Sequence, residues 1–284
     1  MIEAWLVYNQ EDYTKNSYFA DELITEAKKR NIHLELVLRE KITLGIELAT
    51  LYIKNGDSIS HPEFVINRSR DSFLSKQLEL MGIRVYNSYE ITDLCNNKSL
   101  THQWISKLGI PSVDTLFLNK NYLDRDNLKF SYPVVIKSVS GHGGNEVFKC
   151  TSKEAVLSAM AKIKENEFLI QQMCDNPGVD VRVFVIGDQI IGAIKRESKV
   201  DFRSNYSLGG KASIYELTEE NKNRVQSILE NLKSDFIGID FMISQSGTFL
   251  FNEIEDVVGS RTLYEYGQIN TAKEYIHYIA KTLL

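Results

Sequence analysis

A chain of 284 residues is long enough for two or three domains, and its 43% hydrophobic and 25% charged residues are those of an ordinary soluble globular protein. A net charge of −5 argues against broad nucleic-acid binding, which needs a basic surface. Three widely spaced cysteines (Cys95, Cys150, Cys174) suggest buried, inert thiols and not a disulfide framework or a cysteine zinc site, no apolar run approaches the length of a membrane span, and the first residues lack a secretory pattern, so the expected location is cytoplasmic.

Residues 2–8 read as a strand, followed by a helix with Ala20, Leu23, Ile24 and Ala27 on one face. Further strands are expected at 34–38, 64–67 and 83–86, with helical segments at 44–54 and 71–81, which makes a small parallel α/β unit. From about residue 90 the pattern becomes α+β. A helix near 97–108 stops at Gly109-Ile110-Pro111, and strands 133–137 and 145–150 flank a glycine-containing loop. A helix at 153–164 and a strand at 168–173 follow. Residues 179–186 and 189–196 form a hairpin about Gly187-Asp188, then come a helix at 219–233, a hairpin of 237–243 and 248–255 about Ser244-Gln245-Ser246-Gly247, and a terminal helix at 270–284.

The last hairpin carries three acids, Asp240, Glu253 and Glu255. Alternation puts Glu253 and Glu255 on one face, and the hairpin brings Asp240 alongside them. Carboxylates so gathered repel, and a bound hard cation, Mg2+ holding a nucleotide's phosphates, is the least costly remedy; the alternative is a solvated polar strand face. Ser140-Gly141-His142-Gly143-Gly144 follows a strand ending in Lys137. Such glycines let backbone N–H groups cradle phosphate oxygens, although a plain hairpin turn reads equally well, and His142 is a loop residue. In Asp180-Val181-Arg182 both polar side chains share a face, and Lys195-Arg196, Asp201-Phe202-Arg203-Ser204-Asn205 and Gly209-Gly210-Lys211 follow. Each alone reads as a surface ion pair or a loop. Together, Lys137, Arg196 and Arg203 add positive charge to a region that later supplies three acids, as an anionic phosphate chain bridged to a cation requires. Tyr8, Asn9, Asn67 and Arg68 sit at strand ends, where open α/β sheets bind ligands.

In this order the phrases Pro-Val-Val-Ile-Lys (133–137), the glycine loop, Gln-Gln-Met (171–173), Asp-Val-Arg-Val-Phe-Val-Ile-Gly (180–187), Ala-Ile-Lys-Arg (193–196), Phe-Arg-Ser-Asn (202–205), Gly-Gly (209–210), Gly-Ile-Asp (238–240) and Glu-Ile-Glu (253–255) resemble the ATP-grasp superfamily. The match is nearest to the branch of ribosomal protein S6 glutamate ligase and the amino-group carrier ligases of lysine and arginine biosynthesis. It runs from about residue 62, through Ile66-Asn67-Arg68 and 81–88, to the end of the chain. The resemblance implies an ATP-grasp fold: an N-terminal α/β domain (1–92), a central subdomain (93–174) and a C-terminal subdomain (175–284) carrying the metal site.

By motif position, Lys98 and Lys137 would contact the phosphates and Gly141, Gly143 and Gly144 would fold over them. Gln172 and Met173 would lie at the adenine and Asp180 near the ribose. Arg203, Ser204 and Asn205 would face phosphates and metals, and Arg196 the transferring phosphoryl group. Asp240, Glu253 and Glu255 would hold two Mg2+ ions, for which Mn2+ could substitute. The implied activity is an ADP-forming carboxylate–amine ligase: a carboxylate attacks the γ-phosphate, and an amine then attacks the acyl phosphate. Its substrate would be an amino acid, a peptide or a protein tail. Neither a nucleic-acid nor a membrane partner is implied, and a homo-oligomer, dimer or tetramer, is implied by analogy.

Two departures from the family pattern stand out. Glu255 replaces a usual asparagine, and Asp256-Val257-Val258-Gly259-Ser260-Arg261-Thr262 replaces a small-residue turn. Arg261 is there a candidate to grip a substrate carboxylate, alongside Asn67 and Arg68 from the N-terminal domain; its alternative is local pairing with Asp256 or Glu265. Competing readings of the whole are a nucleotide-binding protein without catalysis and a phosphotransferase on the same scaffold.

Overall fold

The computed structural model describes residues 1–124, 128–144, 146–204 and 210–283. In chain order the first elements are β1 (Ile2–Tyr8), α1 (Gln10–Lys28), β2 (Ile32–Leu38), β3 (Ile42–Glu47), β4 (Thr50–Asn55), β5 (Ser58–Ile59), β6 (Phe64–Asn67), α2 (Ser72–Leu80) and β7 (Arg84–Tyr86). β2, β1, β6 and β7 form a parallel sheet in that order. β1 can sit inside it because Ala4 to Tyr8 are apolar at every position and buried on both faces. Asn9 caps α1 through the Asp12 amide, and Asp71 caps α2 through that of Leu74.

The helix expected at 44–54 is instead an antiparallel hairpin, β3 with β4, joined by β5 into a three-stranded sheet. Ile42 and Ile53 are buried, and a Cβ on Gly45 would lie 2.4 Å from the Tyr52 ring. The turn is made by Leu48 and Ala49 at φ 45 and 64, without the glycine or asparagine that announces such a turn. The helix formers at 47–49 therefore mislead a reading by period.

The chain continues through α3 (Tyr89–Cys95), α4 (Lys98–Lys107), β8 (Thr115–Asn119), β9 (Val134–Ser138), β10 (Val147–Cys150), α5 (Lys153–Lys162) and β11 (Glu167–Gln172). The four strands form an antiparallel sheet, β10-β9-β11-β8, with its own core of Val134, Ile136, Val156, Met160, Phe168 and Ile170. Last come β12 (Val179–Ile186), β13 (Gln189–Glu197), β14 (Lys211–Ile214), α6 (Glu219–Asn231), β15 (Phe236–Ile243), β16 (Phe249–Glu255), α7 (Arg261–Gly267) and α8 (Thr271–Thr282).

The third sheet, β14-β13-β12-β15-β16, is antiparallel throughout. Its Phe184, Ile186 and Phe236 share one core with α1, α8 and the first sheet, so these elements are fused. Among the described residues no helix is long and apolar enough to cross a membrane.

Candidate active site

Register on the third sheet gathers the charged residues. Asp180 lies opposite Arg196, Arg182 opposite Asp240, and Asp240 opposite Glu253, with Glu255 opposite Gly238. Directly opposed residues share a face, and so do residues two apart on a strand. One sheet face thus carries four acids and two arginines. Gly238 makes the arrangement possible, because a Cβ there would meet the Val258 side chain at 2.5 Å and the Arg182 Cδ at 3.4 Å.

The three carboxylates expected to repel unless a cation joins them are neutralised from within. Arg182 grips Asp240 side-on, Nε to Oδ1 at 2.7 Å and Nη2 to Oδ2 at 2.7 Å, and Nη2 also reaches Glu255 at 2.7 Å. Arg196 binds Asp180 in the same bidentate way, at 2.7 and 2.5 Å, and adds a 2.7 Å bond to Asp240 Oδ2. Burial would raise the Asp240 pKa, but the two guanidiniums outweigh it and draw the carboxyl down to about 2. Asp180 is raised, chiefly by burial, which Arg196 opposes. Arg196, expected at a phosphoryl group, and Asp180, expected near a ribose, are each other's partner here, with Arg196 buried at 5% exposure.

Two lysines complete the set. Lys98 reaches the carbonyl of Gly141 and lies 3.6 Å from Glu253, while Lys137 donates to Asn252 at 2.8 Å. Burial pushes the Lys137 ammonium down to about 8; Glu253 resists this and Lys98 adds to it. Four carboxylates (Asp180, Asp240, Glu253, Glu255) thus face four cations (Lys98, Lys137, Arg182, Arg196). Counted formally, the charges of the cluster balance, although burial raises the Glu255 carboxyl as it does that of Asp180.

A cleft of about 840 Å³, counted to its open mouth, lies over this face. Lys98, Lys137, Gly141, Gly143, Gly144, Gln172, Met173, Asp180, Arg203, Ser204 and Glu253 line it, together with Cys174, Asn176, Met242 and Asn252. Arg203 ties the glycine loop to the opposite wall: its Nη1 donates to Gly144 O at 2.9 Å while Asp201 holds the rest of the fork at 3.0 and 2.7 Å. The side chain of Gln172 donates to Pro133 O at 3.1 Å, and its backbone N–H to Asp114 O at 2.9 Å. His142, on the loop, is pushed down to about 4 by burial first and then by Arg70 and Lys98, so it is neutral near pH 7. Asn205 lies outside the described residues.

Three residues expected at the substrate lie outside the lining of this cleft. The Asn67 amide bonds Asp71 O and Ser75, and its oxygen accepts from Ser69, so it shapes the turn into α2. Arg68 is buried against the rings of Tyr8 and Phe19 and donates to Val258 O at 2.9 Å, which ties the two fused sheets together. Arg261 is exposed at the start of α7, is not among the cleft-lining residues and has no ion pair with a described residue; Asp256 is buried and bonded to Asn96 instead.

Two groups at the site escaped the sequence reading. Arg182 was legible as sharing a face with Asp180 but carried no role. His102 gives no local signal, yet it is buried between Gln171 (3.2 Å) and the Phe251 ring (5.1 Å). Burial, then Lys137, push the His102 imidazole down to about 3. In the unfolded chain it titrates near 6.5, so its contribution is intact above about pH 6.5 and is lost progressively as pH falls toward 3. At pH 5 the expected loss is about 2 kcal/mol, at about 1.4 kcal/mol per unit. Urea melts at pH 7 and pH 5 should show that difference shrinking in His102→Gln; equal differences in the two proteins would contradict it.

The donor chemistry suits a hard divalent cation. Carboxylate oxygens of Asp240, Glu253 and Glu255 lie within 4.8 Å of one another, Glu253 forms an ion pair among the described residues with Lys98 alone, at 3.6 Å, and Glu255 keeps one oxygen clear of Arg182. Residues 95–279 match the RimK-like ATP-grasp domain family. The chain belongs to this RimK-like ATP-grasp family. It is 26% identical over 256 residues to the alpha-aminoadipate–LysW ligase LysX of Saccharolobus solfataricus, covering 84% of this chain and 93% of that one. It is 27% identical over 265 residues to the protein MG011 of Mycoplasma genitalium, covering 93% of this chain and 87% of that one. Among solved structures, the RimK domain protein ATP-grasp from Sphaerobacter thermophilus superposes with a TM-score of 0.75 at 17% identity, over 98% of this chain and 99% of that one, which shows the shared fold. As a RimK-like ATP-grasp protein the chain is an ATP-dependent, ADP-forming carbon–nitrogen ligase.

Proposed function

We propose that this ligase activates a carboxylate of an amino acid or peptide end as an acyl phosphate, and joins it to an amine on a second amino acid, peptide or protein tail. The observation that carries the reading is a cleft lined by the glycine loop, Lys98, Lys137 and Arg203 directly over a sheet face that carries four acids and two arginines. In this reading the glycine loop, Lys98, Lys137 and Arg203 bind the phosphate chain; the segment 171–173 takes the adenine. Residues 93–174 and 175–284 act as the two walls that hold the nucleotide.

Asp240, Glu253 and Glu255 would hold Mg2+, which when bound neutralises phosphate charge and polarises the γ-phosphoryl group. With the formal charges of the cluster in balance, a nucleotide with four negative charges is accommodated best with two divalent ions, or with Mn2+ in their place. The protein's residues orient and shield. A carboxylate oxygen attacks the γ-phosphorus and ADP leaves; the amine nitrogen then attacks the acyl carbon, phosphate departs with the bridging oxygen, and the amine proton is lost to solvent. Phosphoryl transfer of this kind needs positioning and charge neutralisation more than a covalent nucleophile. The loop held by Lys98 and Arg203 would keep water from the acyl phosphate.

The test is ADP release with pooled amino acids, dipeptides and small carboxylic acids, with and without EDTA. Release that needs a divalent ion, a carboxylate and an amine together supports the reading. Release that is indifferent to the amine would overturn it.

A further inference from the structure

The hairpin of β3 and β4 leaves a strand edge open to solvent. In the sheet β3-β4-β5, β4 is central and β3 is the outer strand, Ile42–Glu47. Leu48 and Ala49, both at positive φ, close a two-residue turn, so Glu47 and Thr50 are a hydrogen-bonded pair. Bonded and non-bonded pairs alternate from there. Gly45 and Thr43 direct their N–H and C=O groups to β4, and Leu44 and Ile46 direct theirs outward. Lys41, in phase with Thr43, accepts on the β4 side from the Gly56 N–H at 3.0 Å.

The outward edge is closed at one end only. Ile42 donates its N–H to Arg39 O and accepts from Arg39 Nη1 at 3.0 Å. No described residue bonds the N–H or C=O of Leu44 or Ile46. Exposed edges are ordinarily blunted by a charge, a proline or a bulge, and Leu44-Gly45-Ile46 has none of these. Apolar surface accompanies the edge: Ile46 is 70% exposed and Leu48 97%. Beside the hairpin, α2 exposes Phe73 and Leu80, a turn to either side of Gln77, whose amide donates to Tyr52 O at 2.7 Å.

This edge fits itself. Laid antiparallel on a second copy about a two-fold axis at Gly45, Leu44 of each copy stands opposite Ile46 of the other. Both are hydrogen-bonded pairs, so the outward groups of Leu44 and Ile46 are the ones satisfied. An axis at Leu44 would instead call on the Ile42 N–H, which Arg39 holds. On the apolar face Leu44 covers the exposed Ile46 of the other copy. On the opposite face Thr43 stands across from Glu47 of the other copy, with Lys41 on the diagonal, and Lys41 and Glu47 are both exposed. At the axis Gly45 meets Gly45. Tyr52 occupies the space of a side chain there, since a Cβ on Gly45 would lie 2.4 Å from its ring.

We infer that two copies of the chain associate through β3, antiparallel about Gly45, and join their three-stranded sheets into one. The partner is a second copy and not an unrelated peptide, because hydrogen bonds, apolar contacts and charges all match under the same axis. The ligase reading stands or falls independently of this pairing.

The experiment measures the mass of the full chain by light scattering and sedimentation at about 1 to 100 µM. The wild type should form a dimer. Ile46→Pro removes an outward N–H and no bond of the β3–β4 ladder, so it should weaken the dimer by about 10- to 100-fold. Thermal melts establish that it folds; should it not, Ile46→Lys places a charge on the same edge. Register is read by a disulfide. The pair Thr43→Cys with Glu47→Cys should link two chains on mild oxidation, because opposed residues of a non-hydrogen-bonded pair lie within disulfide reach. Thr43→Cys alone should not, and the native cysteines are buried. A monomeric wild type overturns the inference. So does a dimer that survives Ile46→Pro, or a double cysteine variant that links no better than the single one. A monomeric wild type whose binding of a peptide substrate is weakened by Ile46→Pro would assign the edge to an extended peptide instead, and overturns it too.

Discussion

Replacing Arg182 with methionine is expected to destabilise the protein by about 3–5 kcal/mol, the range for removing one partner of a buried charge cluster. The effect is large because Arg182 holds three bonds to two carboxylates, with Asp240 1% exposed. Methionine fills similar volume, so the loss reports uncompensated charge and not a cavity. Arg196 still binds Asp240 Oδ2, which leaves Glu255 and the Oδ1 edge of Asp240 without a cation. Millimolar Mg2+ should then raise the melting temperature of the variant more than that of the wild type, since an external cation replaces the lost one. Melts with and without Mg2+ check this; a neutral substitution, or a variant blind to Mg2+, would show that the arginine is not the internal counter-charge.

Asp240→Asn is the second large effect. Its carboxylate lies opposite Glu253 and receives both arginines, so the substitution removes a metal donor and the centre of the charge network together. Loss of one preorganised charge at a phosphoryl-transfer site costs about 100- to 1,000-fold in kcat. The KM for ATP should change far less, because Lys98, Lys137, the glycine loop and Arg203 line the cleft independently of Asp240. Steady-state ADP release separates the two parameters. A variant that keeps its kcat would remove Asp240 from the reaction and, with it, the acid face as the metal site.

Much of this arrangement is legible in the sequence, for reasons particular to its residues. Alternation on β16 puts Glu253 and Glu255 on one face whatever the tertiary structure, and a four-residue turn returns β15 beside it, so the three acids had to meet. Glycines 141, 143 and 144 after a lysine-ended strand read equally well as a hairpin turn, and only the resemblance placed them at the phosphates; Gly143 and Gly144 indeed take left-handed φ of 64 and 81 in the cleft lining. What could not be read was pairing across strands that are distant in sequence. The contact of Arg182 with Asp240 spans 58 residues and that of Arg68 with Val258 spans 190. From sequence, the acids and arginines looked like two separate inventories, one waiting for metal and the other for phosphate. Folded, they neutralise each other. The same blindness made Asn67 look free at a strand end, when its amide is committed within eight residues to Ser75. The hairpin of β3 and β4 was missed for a local reason: Leu48 and Ala49 take a conformation that their residue types rarely adopt.

The measurement that tests the ligase account most directly uses a carboxylate substrate labelled with ¹⁸O in both oxygens, with the amine, ATP and Mg2+. Activation through an acyl phosphate moves one carboxylate oxygen onto the transferred phosphorus, and amine attack releases it. Mass spectrometry should find one ¹⁸O in each phosphate formed and one left in each amide. Phosphate free of label, or a phosphorylated product that persists in the presence of amine, would contradict the account.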